Sequence, residues 1–230
     1  MSDPFEILGR TSLGDQVYGR IAKALLTGRM RPNDKLTIRG LAEQLGVSTT
    51  PTRDAVKQLT QEGVLEQRSP KDVRVPVMQA ETYLEILDIR LHLEGLAAER
   101  ATERAESSHI KALLKLLERN DRAIANNNYS TATEGNQEFH LALSDIANMP
   151  NLQKILRGLW LQMGPLVACY YDTNPPDLNL MHYEVVRAME TREPARARDA
   201  IRSDILVAKS AMLDQIEALN TEFRGAVAGE

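Results

Sequence analysis

The stretch LAEQLGVSTTPTRDAV, residues 41–56, holds two short helical patterns on either side of a single glycine. Apolar residues recur at helical spacing before and after Gly46, which can adopt the positive φ that a sharp turn between helices requires. This arrangement predicts a helix-turn-helix motif. In such motifs the second helix lies in the major groove of DNA, and its N-terminal residues face the base edges.

The sequence around this motif completes a small domain. The three predicted helices cover residues 16–27, 38–47 and about 48–62. RPNDKL (31–36) is predicted to be a turn. After the third helix the apolar period shortens from about 3.6 to about 2 residues, so VLEQR and VRVPV are expected to form a β-hairpin about a turn at residues 69–72. Residues 10–78 are thus predicted to form a winged helix-turn-helix of three helices plus a β-hairpin.

After Met78 the pattern is helical. The apolar run near Val167 is the one segment here that could instead form a strand. Six amphipathic helices are predicted, over residues 81–105, 108–127, 131–148, 151–171, from the region of His182 to Glu190, and from Pro194 to Thr221. Their short connections favour antiparallel neighbours. Residues 79–225 are therefore predicted to form an all-α antiparallel helical bundle, which makes the whole chain mainly α.

The composition fits an intracellular protein with packed cores. The chain has 230 residues, of which 43% are hydrophobic and 26% are charged. Its one cysteine, Cys169, excludes a disulfide framework, and no signal peptide or membrane span is evident. We therefore expect a cytoplasmic location without membrane contact.

The charges are distributed unevenly along the chain. Residues 1–78 carry 12 Lys and Arg against 9 Asp and Glu, whereas residues 79–230 carry 16 against 23. A basic first part on an acidic remainder suggests that the first part meets a polyanion.

Hydroxyl and basic side chains cluster where the predicted second motif helix begins. A hydroxyl at this position can cap the helix or contact DNA, and Arg53 can reach a phosphate or a guanine. Arg39 starts the preceding helix, and the predicted wing carries Arg68 and Lys71. The candidate DNA contacts are Arg39, Ser48, Thr49, Thr50, Arg53, Arg68 and Lys71.

Polar residues on inward faces of the predicted bundle mark a second candidate site. Asn136 and His140 are four residues apart and share a helical face, while His182 and Asp204 lie on later helices among apolar residues. Two imidazoles and a carboxylate that converge could hold Zn²⁺ or a similar divalent ion. Hydrogen-bonded core histidines are the alternative.

Arg90 lies one turn before Glu94 and could form a simple i,i+4 ion pair with it. The aromatic residues Trp160, Tyr170 and Tyr171 are expected to be core or interface residues.

The segment VYGRIAKALLTGRMRPNDKLTIRGLAEQLGVSTTPTRDAVKQLTQEGVLE, residues 17–66, resembles the winged-helix domain of the GntR family of bacterial transcription regulators. The order and spacing of its helices match the family throughout. This resemblance implies that Arg39, Thr50, Arg53 and the wing tip contact DNA.

The sequence departs from that family pattern at three places. Asn33 stands where a glycine usually follows the proline of the first turn, and the wing tip at residues 69–72 lacks the frequent glycine. Thr49 stands where the family often has an arginine. The last departure implies base recognition with fewer charged contacts.

The segments ILDIRLHLEGLAAERA, NQEFHLALSDIANMPNL, MHYEVVRAME and REPARARDAIRSDI resemble the all-helical sensor domain called FCD, which one branch of the GntR family carries. In that branch an Asp-x-x-x-His pair and two later histidines hold a metal. The corresponding positions here are Asn136, His140, His182 and Asp204. The resemblance also makes Arg90 the group that binds an effector carboxylate, with Asn136, His140 and His182 beside it.

Two of these four ligand types differ from the family set, which leaves two possibilities open. The site can hold one divalent ion of the Zn, Ni or Mn class, or it can bind an organic effector directly. Asn136 could ligate only through an uncharged amide oxygen. The one carboxylate among the four positions is Asp204, which lies on the last predicted helix.

Together these observations predict a ligand-responsive bacterial transcription regulator and not an enzyme. It would bind a pseudo-palindromic operator in double-stranded DNA as a homodimer, with operator affinity controlled by a small carboxylate metabolite that binds either directly or together with a divalent metal. Repression relieved by the effector is favoured over activation. One alternative is a metal-dependent hydrolase using His140, His182 and Asp204, although no paired nucleophile or general base is evident. Another is an architectural DNA-binding protein without a sensing role.

Overall fold

The computed structural model describes residues 12–69, 71–173 and 179–227. Residues 10 and 11 of the predicted first domain, and Pro70 at the predicted wing tip, lie outside the described residues. The first part of the chain contains α1 (Leu13–Leu26), β1 (Lys35–Leu36), α2 (Ile38–Leu45), α3 (Thr49–Gln61), β2 (Glu66–Ser69) and β3 (Asp72–Arg74). The second contains α4 (Ala80–Arg104), α5 (Ser107–Ala125), α6 (Tyr129–Ile146), α7 (Pro150–Thr173), α8 (Leu180–Glu190), α9 (Pro194–Val207) and α10 (Lys209–Val227).

The first domain is a winged helix-turn-helix, as the sequence predicts. Helices α2 and α3 flank Gly46, whose φ of 67° is the left-handed conformation expected at the turn. Helix α1 begins earlier than predicted, because Ser12 accepts a hydrogen bond from the backbone of Asp15 and the Asp15 side chain returns one to Ser12. The core is formed by buried residues of all three helices and of β3, among them Val17, Ile21, Leu25, Leu41, Val56, Leu59 and Val73.

The wing contains one strand more than the predicted hairpin. The sheet has the order β1-β3-β2 with antiparallel pairing, and Leu36 of β1 lies opposite Val73 of β3. The prediction of a turn over residues 31–36 was therefore wrong for its last two residues. A strand of two residues is too short to show any periodicity, so only its long-range pairing reveals it.

Asn33 takes the conformation that the family glycine would provide. Its φ is 68°, and its backbone N–H donates to the carbonyl of Val75 at 2.8 Å. Asparagine enters the left-handed region more readily than other non-glycine residues. The substitution of glycine by asparagine therefore keeps the turn that leads into β1.

The second domain is the predicted helical bundle, with two differences. The run near Val167 belongs to α7 and is not a strand. The predicted helix from Pro194 to Thr221 is two helices, α9 and α10, separated at Ala208. Neither glycine nor proline marks this break in the sequence. The break arises from packing, since α9 lies against α4 and α8 whereas α10 contacts α7. Within the part of the chain that the structure describes, no helix combines the length and the hydropathy of a membrane span.

Helix α7 connects the two domains. Leu161 on α7 is buried in the core of the winged domain, and the side-chain amide of Gln162 donates to the carbonyl of Glu62 at 3.0 Å. Arg31 of the winged domain pairs with Asp172 of α7 at 2.7 Å. The predicted boundary between residues 78 and 79 stays a prediction, and Leu161 shows that the winged core extends across it.

We expect Gly28→Ala to destabilise the protein more than a glycine substitution without a domain contact. Gly28 has φ 68°, and an added Cβ would lie 2.5 Å from the Cβ of Ala168 on α7. Overpacking at this contact should cost about 1–3 kcal/mol beyond the strain of the left-handed backbone. Chemical denaturation monitored by circular dichroism measures the difference.

Two matched glycines serve as controls. Gly46→Ala has the same left-handed backbone, but no atom of the described residues lies within 4 Å of the added Cβ, so it should cost about 1–2 kcal/mol. Gly19→Ala, exposed within α1, should stabilise by about 0.5–1 kcal/mol. Equal losses in Gly28→Ala and Gly46→Ala would show that close packing against α7 contributes nothing.

Candidate functional site

The N-terminus of α3 presents three exposed hydroxyl side chains. Ser48 occupies the N-cap position, yet its side chain forms no capping hydrogen bond. The hydroxyl of Thr52 instead donates to the carbonyl of Ser48 at 3.1 Å. The interpretation that one of these hydroxyls caps the helix is therefore wrong for Ser48, and Ser48, Thr49 and Thr50 are all available to a partner.

Arg53 follows on the first turn of α3 and is also exposed. It forms no ion pair with any residue of the described ranges, so its guanidinium is available to an anion. Lys57 is exposed one turn later, on the same side of the helix. The four-residue spacing from Arg53 could have identified Lys57 as a further basic candidate.

The other predicted DNA contacts are exposed as well, although two of them have acidic partners. Arg39 pairs with Glu43 at 3.0 Å, and Arg68 pairs with Glu66 at 3.2 Å. Such exposed pairs are weak and can be exchanged for phosphate contacts. Lys71 is exposed beyond the wing tip, where its backbone N–H donates to the hydroxyl of Ser69 at 3.3 Å.

A chain of charged groups lies buried in the helical domain. Arg90 donates to one carboxylate oxygen of Glu94 at 2.5 Å, and the other oxygen contacts Nδ1 of His140. The side chains of Arg90 and Glu94 are 6% and 0% exposed, so this pair is part of the core and not the surface pair that its spacing suggests. Glu94 therefore joins the effector candidate Arg90 to the metal candidate His140.

The ring nitrogens of both histidines converge on one carboxylate. Nε2 of His140 and Nε2 of His182 lie 3.2 Å apart, and they lie 3.2 and 3.3 Å from Oδ2 of Asp204. Nδ1 of His182 contacts Oδ1 of Asn179 at 3.3 Å. Each histidine thus has its Nδ1 held by a neighbouring oxygen while its Nε2 faces the shared cluster.

The electrostatic environment favours the charged forms of Glu94, His140 and Asp204. Burial would raise the pKa of Glu94, but the charges of Arg90 and His140 and their hydrogen bonds lower it to about 2. Burial would lower the pKa of His140, but Glu94 and Asp204 raise it. Burial likewise opposes ionisation of Asp204, whose pKa is nevertheless lowered by His182 and His140.

Sequence reasoning missed Glu94 and Asn179 as members of this site. Glu94 is separated from His140 by 46 residues, so no local spacing connects the two. Asn179 lies three residues before His182 at the N-cap of α8, a short spacing that could have identified it. A signal for Glu94 was present in part, because a carboxylate on the apolar side of an amphipathic helix needs a buried partner.

A cavity of about 230 Å³ adjoins the cluster. Its wall includes Arg90, Asn136, His140 and Asp204, whereas His182 is fully buried and does not line the cavity. The predicted core residues Trp160, Tyr170 and Tyr171 are buried and also line this cavity. The guanidinium carbon of Arg90 lies 4.0 Å from the centre of the Trp160 ring, a cation–π contact.

The organisation of the two domains matches known family models. The model described as "Bacterial regulatory proteins, gntR family" matches residues 13–75, and the model described as "FCD domain" matches residues 85–206. The chain belongs to the GntR family. It is a DNA-binding transcription regulator with an FCD effector-binding domain, and not an enzyme, so the hydrolase alternative is not supported.

Individual GntR regulators are similar over most of their length. The HTH-type transcriptional regulator McbR of Escherichia coli K12 is 32% identical over 73% of this chain and 76% of its own. The uncharacterized regulator YdhC of Bacillus subtilis 168 is 30% identical over 67% of this chain and 69% of its own. The solved structure of E. coli McbR/YncC covers 90% of this chain and 99% of its own, with a TM-score of 0.84 and 26% identity.

A GntR structure from Rhodococcus sp. RHA1 shares the fold, with a TM-score of 0.77 at 19% identity over 89% of this chain and 99% of its own.

We expect Glu94→Gln to destabilise this GntR protein strongly. The amide keeps the shape of the side chain but removes the negative charge that faces Arg90 and His140. Breaking a buried ion pair leaves an uncompensated charge, so the free energy of unfolding should fall by about 3–5 kcal/mol. Chemical denaturation measures this loss.

Glu43→Gln provides the matched control, because Arg39 and Glu43 have the same i,i+4 spacing on an exposed helix. Its loss should be no more than about 0.5 kcal/mol. Similar small losses in both variants would contradict the structural role assigned to Glu94.

Proposed function

We propose that this regulator binds a pseudo-palindromic operator as a homodimer, and that a small organic acid in the cavity of the helical domain controls operator affinity. A divalent metal held beside the cavity takes part in binding the acid. The observation that carries the proposal is Arg90, which reaches the cavity wall and is tied through Glu94 to the histidine cluster. The expected location is the cytoplasm, where operator DNA is found.

The exposed start of α3 supports the operator contact. Backbone N–H groups and the helix dipole favour phosphate there, and Ser48, Thr49 and Thr50 add short hydrogen-bonding groups. Arg53 is the cation that can reach a guanine or a phosphate. Arg39, Arg68 and Lys71 are further phosphate contacts. Since one such helix covers only a half-site, two copies related by a two-fold axis match a pseudo-palindrome.

The histidine cluster fits a divalent metal. Nε2 of His140, Nε2 of His182 and Oδ2 of Asp204 form a triangle with sides of 3.2, 3.2 and 3.3 Å. Ligands about 2.0 Å from a tetrahedral Zn²⁺ are separated by roughly 3.3 Å, so this triangle matches one face of its coordination shell. Glu94 and Asn179 hold the opposite ring nitrogens, as partners of metal-binding histidines usually do.

Asn136 is the remaining predicted ligand. It lies one turn before His140 and lines the cavity, and its amide makes no hydrogen bond within the described ranges. It can complete the metal site or contact the effector. The metal would supply a positive charge beside the cavity, which favours an anionic ligand.

Arg90 is arranged to bind a carboxylate. Its Nε is occupied by Glu94, and among the described residues its Nη1 has only the weak acceptor Sδ of Met163, at 3.5 Å. The two terminal nitrogens can therefore donate in parallel to a carboxylate in the cavity. Stacking on Trp160 fixes the plane of the guanidinium, which reduces the entropy lost on binding.

Helix α7 provides a route from the cavity to the DNA-binding domain. Trp160, Met163 and Val167 line the cavity, while Leu161 and Ala168 of the same helix contact the winged domain. A ligand that displaces one side of this helix also moves the other side. The effector then favours one placement of the two winged domains and so changes operator affinity. We propose that effector binding lowers operator affinity and so relieves repression.

We expect Arg53→Ala to weaken operator binding by about 1–3 kcal/mol, or roughly 5- to 150-fold. The operator is a duplex selected by the wild-type protein from a random library, and fluorescence anisotropy gives the Kd across a salt series. A lost phosphate contact should also reduce the salt slope by about 1.

Arg157→Ala is the control, because Arg157 is an exposed arginine on α7 in the other domain. Its operator affinity should stay within about twofold of wild type. Unchanged binding by Arg53→Ala would contradict the assignment of α3 as the recognition helix.

We expect the chelator-treated protein to bind one Zn²⁺ per chain, since the three ligand atoms are already close together. His140→Ala and His182→Ala should each lose most of this affinity, because each removes one of three ligands. Isothermal titration with ZnCl₂ and elemental analysis measure the occupancy. His92→Ala, which changes an exposed histidine, should bind as wild type. If the wild type binds no more Zn²⁺ than His182→Ala, the metal is not part of the site.

A further inference from the structure

We infer that the effector is a compact monocarboxylate with an apolar, single-ring body, and not a polar hydroxy acid or polycarboxylate. This inference rests on the proposed function, since it assumes that the cavity takes an organic acid at Arg90. It adds the chemistry of the rest of the ligand, which the remaining cavity wall determines.

The charged side chains of the cavity wall form a single network of hydrogen bonds and ion pairs. Arg90 is joined to His140 through Glu94, and His140 lies 3.2 Å from Asp204. Asn136 is one turn from His140 on the same helix. A ligand therefore meets one region that can anchor a carboxylate, formed by Arg90 together with the proposed metal position beside His140.

Among the described residues, the rest of the wall offers no charge to a second carboxylate. It consists of aliphatic, methionine and aromatic side chains from α4, α7, α8, α9 and α10, among them Leu87, Val167, Met181, Ile205 and Met212. Its polar side-chain atoms are the tyrosine hydroxyls and the indole N–H of Trp160, which has no hydrogen-bond partner among the described residues. Burial raises the pKa of Tyr83 to about 12, so that phenol stays neutral. A second carboxylate would lose its hydration without gaining a cation, which is costly.

The size and the aromatic content of the wall limit the apolar body. A volume of about 230 Å³ is below the roughly 300–1,000 Å³ typical of sites for drug-sized ligands. Trp160, Tyr83, Tyr170 and Tyr171 surround this space, and the last two rings meet edge to face with centres 6.2 Å apart. Aromatic rings gain from such edge and offset contacts, which favours one aromatic ring in the ligand.

Four probes of related chemistry test this inference by isothermal titration, with the protein both free of metal and loaded with Zn²⁺. The first is 4-methylbenzoate, the second is its uncharged analogue 4-methylbenzamide, and the third is terephthalate, in which a second carboxylate replaces the methyl group. Citrate represents polar polycarboxylates. We expect 4-methylbenzoate to bind, terephthalate and citrate to bind at least about tenfold more weakly, and the amide to bind roughly 10- to 100-fold more weakly.

A pair of adjacent variants shows where the apolar body lies. Val207 lines the cavity and is 70% exposed, whereas its neighbour Leu206 is 45% exposed and does not line it. Both positions are exposed enough to accept a charge without loss of folding, which circular dichroism checks. Val207→Asp should weaken 4-methylbenzoate binding by about fivefold or more, and Leu206→Asp should change it less than about twofold.

The possible failures are distinguishable. Binding of citrate or terephthalate with no weaker affinity than 4-methylbenzoate would overturn the inference and leave the proposed organic-acid effector standing. Binding of none of the three acids in either metal state would overturn both. Equal binding of 4-methylbenzoate and its amide would refute the carboxylate anchor at Arg90. Equal effects of the two aspartate variants would show that the ring does not occupy this cavity.

Discussion

The buried contact from Arg90 through Glu94 to His140 is the constraint on which the helical domain depends. Each of these charges would be costly alone in the core, so none can be kept without the others. Their mutual attraction lowers the pKa of Glu94 to about 2 despite complete burial. The same contact orients His140, so that its Nε2 faces His182 and Asp204. The stability of the helical domain and the geometry of the ligand site thus depend on the same three side chains.

Part of the fold and of the ligand site could be predicted from the sequence. The helix-turn-helix, Gly46 at its turn and the bundle helices follow from local patterns, and the structure confirms them. His140, His182 and Asp204 were expected to converge from resemblance and helical spacing, and their ligand atoms lie within 4.8 Å of one another. Asn179 lies only three residues before His182, and its role as the partner of that histidine was overlooked. The sequence did not assign Glu94 to His140, because 46 residues separate the two along the chain.

The same limit applies to the fold. Strand β1 has only two residues and exists through its pairing with β3, and the break at Ala208 follows from the different neighbours of α9 and α10. Both depend on contacts that no local pattern encodes. The break is also close to the ligand site, since Asp204 and Ile205 before it and Met212 after it line the cavity. A single straight helix from Pro194 to Thr221 could not supply a cavity wall and contact α7 in this way.

Helix α7 lacks one backbone hydrogen bond, at the residue through which it enters the winged domain. Pro165 has no N–H to donate to the carbonyl of Leu161, the residue that enters the winged core. Because Leu161 fills that core from a distant part of the chain, the first domain is not a self-contained module. A chimaera that joined these winged helices to another sensor at residue 78 would leave an apolar hole where Leu161 now lies. Exchange of DNA-binding domains among relatives would therefore have to preserve a bulky apolar side chain at this position of the sensor.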